Sequence, residues 1–139
     1  MSHTCKNLII HCIDFRLMDD IYAWLRENGF AGDCDTVSLA GASKDLLDSD
    51  RPEYGDFILK QIRISHDLHK MRRVILMHHT DCGAYGGRKA FGDALEEERR
   101  HIHDMQEASR KIKSRWSDVE TVLVLIKMGG GENEFVQIR

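Results

Sequence analysis

Short runs of mostly apolar residues recur along the chain, separated by stretches in which apolar residues return every three or four positions. The runs lie at 7–12, 36–39, 73–78 and 121–126. Uninterrupted apolar character is typical of strands that are covered on both faces, whereas the longer spacing is typical of amphipathic helices. The pattern therefore predicts strands that alternate with helices, and a short final strand at 135–138.

Start and stop signals place three helices between these strands. Asp19 or Asp20 can cap the first helix, and Gly29 suits its left-handed end. Pro52 marks the start of the second helix, and the sequence 93–96 forms a capping-box pattern at the start of the third. We predict that the second helix buries Tyr54, Phe57, Ile58, Ile62 and Leu68, and that the third buries Leu95, Ile102, Met105, Ile112 and Trp116. The charged run Glu96-Glu97-Glu98-Arg99-Arg100, together with His101 and His103, is interpreted as a solvated face.

This order of elements predicts an α/β fold with three layers. Its centre is a mostly parallel open sheet of strand order 2-1-3-4, with a short edge strand added and helices on both faces. With 139 residues and 42% hydrophobic content, the chain is expected to form a single domain over residues 1–139.

Composition and charge narrow the classes of partner. The net charge is −3, so the chain has no general basic field for nucleic acid. No apolar segment has the length of a signal peptide or a membrane span, so we expect a cytoplasmic protein with no membrane partner. The four cysteines have no CxxC spacing and no export signal, which makes disulfides a poor interpretation. No functional role is predicted for Cys5 or Cys34.

Potential metal ligands follow the first and third strands. Cys12 ends the first strand, and His79 and Cys82 follow the third. In a sheet of the predicted order these strands are neighbours about 4.8 Å apart, and a crevice opens at their carboxyl ends. We therefore expect the three side chains to meet around one ion. Three protein ligands leave the fourth tetrahedral position open, as in catalytic zinc sites, although iron or cobalt would fit the same donors.

The motif Cys12-x-Asp14-x-Arg16, taken with His79-x-x-Cys82-Gly83, resembles the beta-class carbonic anhydrases. The resemblance extends over about residues 8–126. It implies that Cys12, His79 and Cys82 bind one Zn²⁺ per chain and that Asp14 and Arg16 form a catalytic pair beside the metal.

The same resemblance distinguishes between two adjacent histidines. It selects His79 as the ligand, so that His78 is expected to face the other way and to pack inside the protein. Ala40 and Gly41 fall where the family has its Ala-Gly loop. Together with Gly83 and Tyr85 they are predicted to line the substrate pocket.

The family likeness implies zinc-dependent, reversible hydration of carbon dioxide to bicarbonate by a metal-bound hydroxide. Asp14 would accept a hydrogen bond from that hydroxide, and Arg16 would hold Asp14 ionised. In some family members this aspartate instead binds the zinc and closes the site. A homodimer or a larger homo-oligomer is also implied.

Two other interpretations stay open at this level. One is a hydrolase of carbonyl sulfide or carbon disulfide on the same zinc site, and the other is a non-catalytic zinc-binding homologue. The chain departs from the family beside the Ala-Gly loop, where Ser38-Leu39 and Ala42-Ser43 replace the usual arginine and asparagine. A cysteine phosphatase is excluded because the arginine that its phosphate loop needs, six residues after Cys12, is Met18.

Overall fold

The computed structural model describes residues 3–139 and contains the predicted alternation of strands and helices. In chain order, the principal elements are β1 (Asn7–His11), α1 (Met18–Glu27), β2 (Cys34–Ser38), α2 (Pro52–His69), β3 (Arg73–His79), α3 (Ala94–Arg115), β4 (Glu120–Lys127) and β5 (Glu134–Ile138). Short 3-10 turns lie in the loops between them.

The strands form one five-stranded sheet of order β2-β1-β3-β4-β5. The first four strands run parallel, and β5 pairs antiparallel with β4 at the edge. The predicted α/β fold and strand order are thus confirmed. Because β1 and β3 are adjacent, the loops that follow them leave from the same edge of the sheet.

Each face of the sheet is covered by helices, which explains why the strands are apolar at nearly every position. Along β1, Leu8 and Ile10 face the core beneath α2 and α3, whereas Ile9 faces the core beneath α1. Successive side chains of a strand point to opposite faces, so a strand covered on both sides needs apolar residues throughout. The predicted helices on both faces are present.

The helix boundaries follow the predicted signals. Asp93 caps α3, its carboxylate accepting a hydrogen bond of 2.8 Å from the backbone N–H of Glu96. The carboxylate of Glu96 accepts from the backbone N–H of Gly92 at 2.8 Å, one residue earlier than in a standard capping box. Pro52 occupies the first turn of α2, and Gly29 follows α1 with a φ of +75°.

The predicted buried faces of the helices were partly wrong. Tyr54, Phe57 and Leu68 are exposed on α2, and Leu95 is exposed on α3. Ile58 and Ile62 are buried as predicted, and Gly55 and Ser65 complete the buried face of α2. Gly55 is buried there because its backbone lies against that of Asp45 and Leu46.

The charged segment of α3 is the larger correction. Glu97 and His101 were predicted to face solvent, but both are buried, in line with Asp104 and Met105 one turn further along the helix. Polar groups are buried there because they bind the loop that follows β3. His103 is exposed, as predicted.

Within residues 3–139, no helix combines the length and the apolar character needed to cross a membrane.

Candidate metal centre

The three predicted ligands lie together at the carboxyl edge of the sheet. Cys12 immediately follows β1, His79 is the last residue of β3, and Cys82 lies in the loop beyond it. One ligand atom from each lies within 4.8 Å of the other two, and the two sulfur atoms are 4.0 Å apart. All three residues are buried. For zinc–sulfur bonds of about 2.3 Å, a tetrahedral site separates its two sulfurs by about 3.8 Å.

The loop between His79 and Cys82 is held in a turn that brings both side chains to the same side. Asp81 has a φ of +56°, a left-handed conformation that aspartate adopts more readily than most residues. Its backbone N–H donates to the carboxylate of Glu97 at 2.7 Å. On the other side, the backbone N–H of Thr80 donates to the carbonyl of Ile126 at 2.9 Å.

The hydrogen bonds of His79 prepare one ring nitrogen for a ligand. Nδ1 lies 2.7 Å from the carbonyl oxygen of Thr80, to which it donates, so the proton of the neutral ring is on Nδ1. Nε2 is then unprotonated, buried, and without a hydrogen-bond partner among the described residues. A buried acceptor of this kind costs free energy unless something binds it, and a metal ion would do so.

The two thiols titrate as a pair. A hydrogen bond from Cys82 lowers the pKa of the Cys12 thiol below its ordinary value. The same contact raises the pKa of Cys82, and burial raises it further. A second negative charge at this distance requires a compensating cation, which a divalent metal supplies.

Asp14 and Arg16 lie beside the three donor atoms, which are two sulfurs and one nitrogen. Arg16 binds both carboxylate oxygens of Asp14, with Nη2–Oδ2 at 2.7 Å and Nε–Oδ1 at 3.0 Å. This contact holds the pKa of Asp14 below its ordinary value. The remaining face of the carboxylate points towards the site, with Oδ2 3.7 Å from Nε2 of His79. Arg16 also contacts the carboxylate and the carbonyl oxygen of Asp81, at 3.2 and 3.1 Å, and so connects the two loops.

A cavity of about 600 Å³ opens in front of these residues. Ala40, Gly41 and Gly83 line it, as does the apolar pair Ile13 and Phe15. Gly41 has a φ of +78°, and a Cβ atom there would lie 3.0 Å from the Cβ of Ala84. Only glycine therefore fits this wall without displacing its neighbour.

Tyr85, which was predicted to line the pocket, is placed behind it. Its hydroxyl donates to Asp104 at 2.8 Å, and its ring lies 4.3 Å from the ring of His101. His78 faces the same interior region, as expected, with Nε2 2.7 Å from Ser43 Oγ and Nδ1 3.0 Å from Nδ1 of His101.

Sequence reasoning missed Glu97 and His101, which contact this loop and His78 from α3. The available signal was their helical spacing, because positions 97, 101, 104, 105, 108 and 112 form one continuous stripe. The segment was interpreted as a solvated face because its charged residues were given more weight than this helical spacing.

The donor set fits zinc. Two sulfurs and one imidazole nitrogen are ligands that zinc prefers over magnesium or calcium, and the unpartnered nitrogen of His79 faces the position that such an ion would take. Fold and site together define an α/β protein with a candidate transition-metal centre at the carboxyl edge of its sheet.

Comparison with known sequences identifies the family. The chain belongs to the family described as "Putative carbonic anhydrase", whose model matches residues 2–136. A relative from Rickettsia bellii is 30% identical over 128 residues, which cover 90% of this chain and 78% of the relative. A relative from Rickettsia conorii is 28% identical over 136 residues, covering 96% and 73%. Both relatives are described only as uncharacterized proteins.

Solved structures share the fold. The beta-carbonic anhydrase isoform I of Trichomonas vaginalis aligns with a TM-score of 0.63 at 14% identity, covering 99% of this chain and 86% of that one. A carbonic anhydrase from Glaciozyma antarctica aligns with a TM-score of 0.57 at 21% identity, covering 99% and 83%. The likeness to these structures confirms the α/β architecture.

Proposed function

We propose that this protein is a zinc enzyme that catalyses the reversible hydration of carbon dioxide to bicarbonate. The observation that carries the proposal is the convergence of Cys12, His79 and Cys82 with the Asp14 carboxylate beside an open cavity. Membership of the carbonic anhydrase family supports it. The assignment of one Zn²⁺ to these three residues belongs to the proposal.

Each residue has a distinct task in this mechanism. Cys12, His79 and Cys82 would hold the zinc, which as a Lewis acid makes water a usable nucleophile near neutral pH. Asp14 accepts a hydrogen bond from the attacking water and directs its lone pair towards the carbon of the substrate. Arg16 fixes the carboxylate through two hydrogen bonds and keeps it ionised.

The contacts of Arg16 favour a site in which Asp14 does not itself bind the metal. Both oxygens of Asp14 accept from the guanidinium, and the backbone N–H of Arg16 donates to Oδ1 at 3.0 Å. Turning the carboxylate onto a metal would break these bonds, each worth about 1.5–3 kcal/mol when a charged group takes part. Solvent exposure of Arg16 reduces the free-energy cost of breaking these bonds. The cost that is left still favours the arrangement in which Asp14 does not bind the metal.

The cavity suits a small, uncharged substrate. Its walls near the site are formed by Ile13, Phe15, Ala40 and Ala84, which bind an apolar linear molecule without hydrogen bonds. Arg16 lines the cavity together with Asp14 and Asp81, and its positive charge is paired with their carboxylates.

Stopped-flow measurement of CO2 hydration, with zinc determined on the same sample, tests the proposal. Asp14→Asn is expected to keep its zinc and lose at least about 100-fold in activity, because a neutral amide is a weaker acceptor for the water and loses the ion pair with Arg16. Asp56→Asn, at an exposed position of α2, is the matched control and should match the parent protein. A zinc-loaded parent protein without CO2 hydration would refute the function. Faster turnover of carbonyl sulfide or carbon disulfide than of CO2 would assign the site to the hydrolase alternative.

We also infer that two copies of the chain associate beside the cavity. Ile13 and Phe15 are 61% and 83% exposed at its mouth, and Met18 and Tyr22 continue the exposed apolar surface along α1. Large apolar groups clustered around an open site are typical of protein interfaces. Phe15→Asp should yield monomers by light scattering, whereas Leu68→Asp, at an exposed apolar position of α2, should not. A parent protein that is monomeric at micromolar concentration would contradict the inference.

Location in the cytoplasm remains a prediction from the sequence.

A further inference from the structure

A second group of metal-binding side chains lies at the opposite, amino-terminal edge of the sheet. Cys5 is two residues before β1, Asp35 is the second residue of β2, and His69 is the last residue of α2. Because β1 and β2 are parallel neighbours, their starts lie at the same edge. The backbone N–H of Cys5 donates to the carbonyl of His69 at 2.9 Å and so holds the segment before β1 against the end of α2.

The donor atoms of this group are close to one another. A sulfur of Cys5, a carboxylate oxygen of Asp35 and a ring nitrogen of His69 all lie within 4.8 Å of each other, as in the candidate metal centre. Nδ1 of His69 lies 2.7 Å from Oδ2 of Asp35, and Ser65 Oγ donates to the same oxygen at 2.7 Å. Nδ1 of His69 and Oδ2 of Asp35 are therefore close enough to bind one ion together.

His3 contacts the His69 ring on the side away from Asp35. Its Nε2 lies 3.2 Å from Nε2 of His69. His3 is therefore a neighbour of the donor group and is not counted among its ligands.

The group surrounds a cavity rather than a packed interior. A space of about 280 Å³ is lined by His3, Cys5, Asp35 and His69, together with Cys34. Burial raises the pKa of the Cys5 thiol, and the negative charge of Asp35 raises it further. A thiol next to a carboxylate ionises readily only when a cation neutralises the pair, so the environment favours metal binding over a free thiolate.

We propose that Cys5, Asp35 and His69 form a second binding site for zinc or a similar divalent transition metal. Sulfur, imidazole and carboxylate donors favour zinc over calcium or magnesium. β1 alone, at about 3.3 Å per residue, separates this site from the candidate metal centre by roughly 17 Å. The ion would bind the segment before β1 to β2 and α2, and so add stability to that edge of the sheet.

Metal stoichiometry of the full chain tests the proposal. The protein is dialysed against zinc at about 1 µM free concentration in a metal buffer, and bound zinc is measured by elemental analysis. We expect two zinc ions per chain in the parent protein. Cys5→Ser and His69→Gln should each bind one, because loss of a ligand weakens affinity by at least about 100-fold. Cys34→Ser is the matched control, since Cys34 lines the same cavity outside the donor group, and it should bind two.

The candidate metal centre serves as an internal check on folding. A Cys5→Ser protein that keeps one zinc ion, and loses it on further substitution Cys12→Ser, is folded and lacks only the second site. A parent protein with one zinc ion that Cys12→Ser removes would overturn the second site and leave the proposed function intact. One zinc ion removed by Cys5→Ser but not by Cys12→Ser would overturn the proposed centre and support the second site. Equal loss in Cys34→Ser and Cys5→Ser would also overturn the proposal.

Discussion

Glu97 connects α3 to the loop that carries Cys82, and its removal should weaken metal binding at a distance from the ligands. Its side chain is 1% exposed. One carboxylate oxygen accepts a hydrogen bond of 2.7 Å from the backbone N–H of Asp81, the residue with the left-handed φ of +56°. The other oxygen lies 3.9 Å from Nε of Arg88. Glu97 therefore supports the turn that brings Cys82 towards His79.

The size of the effect follows from the hydrogen bond. A bond from a backbone N–H to a carboxylate contributes about 1.5–3 kcal/mol, and its loss leaves the N–H of Asp81 unpaired in a half-buried loop. If the loop then relaxes in the metal-free protein, about 2 kcal/mol of the free energy of metal binding is needed to restore its conformation. That free energy corresponds to a roughly 30-fold loss of zinc affinity in Glu97→Ala. Glu97→Gln keeps an acceptor oxygen and should lose less.

Competition with a chromophoric chelator measures this affinity, and urea unfolding checks the fold. Glu107→Ala is the matched control because Glu107 lies on the same helix in an exposed pair with Arg110. Exposed pairs contribute about 0–1 kcal/mol, so zinc affinity should be unchanged there. Equal zinc affinities in Glu97→Ala, Glu107→Ala and the parent protein would refute the role assigned to Glu97.

Two further substitutions test buried features around the site. Burial lowers the pKa of His101 from 6.5 to about 4, so the unfolded chain takes up a proton between these pH values that the folded protein does not. The contribution of His101 to stability should therefore increase as the pH rises from about 4 to 6.5, by up to about 1.4 kcal/mol per pH unit, and should be lost as the pH falls. In urea unfolding, His101→Gln should reduce this slope and exposed His103→Gln should not; equal slopes would contradict the assignment. Gly41→Ala and Gly29→Ala both place alanine at positive φ, but only at Gly41 does the new Cβ meet neighbours, at 3.0 and 3.1 Å. Gly41→Ala should therefore cost about 1 kcal/mol more than Gly29→Ala in the free energy of unfolding, and an equal cost would argue against crowding at that wall.

The fold could be predicted from the sequence because a single physical requirement determines the residues of its strands. Strands covered on both faces need apolar residues at every position, and β1 and β3 show this in Leu8-Ile9-Ile10 and Val74-Ile75-Leu76-Met77. Parallel strands of this order bring the residues after β1 and β3 to one edge, so the approach of Cys12 to His79 and Cys82 also followed from topology.

Other features depend on packing that no local pattern encodes. Glu97 and His101 are charged or titratable residues on a highly charged helix, and their burial depends on partners 16 and 23 residues away in the chain. Tyr85 follows the metal loop in sequence, but its ring is directed inward by Asp104 and His101. The group at the amino-terminal edge combines residues from three separate segments of the chain, and their spacing of 30 and 34 positions carries no recognisable motif.

The most direct test of the central claim compares CO2 hydration by the zinc-loaded parent protein and by Cys12→Ser at equal protein concentration. We predict acceleration over the uncatalysed reaction in the parent protein, and the uncatalysed rate in Cys12→Ser, which loses the zinc of this site while remaining folded. Zinc that binds in a Cys12-dependent manner without any acceleration of CO2 hydration would contradict the account.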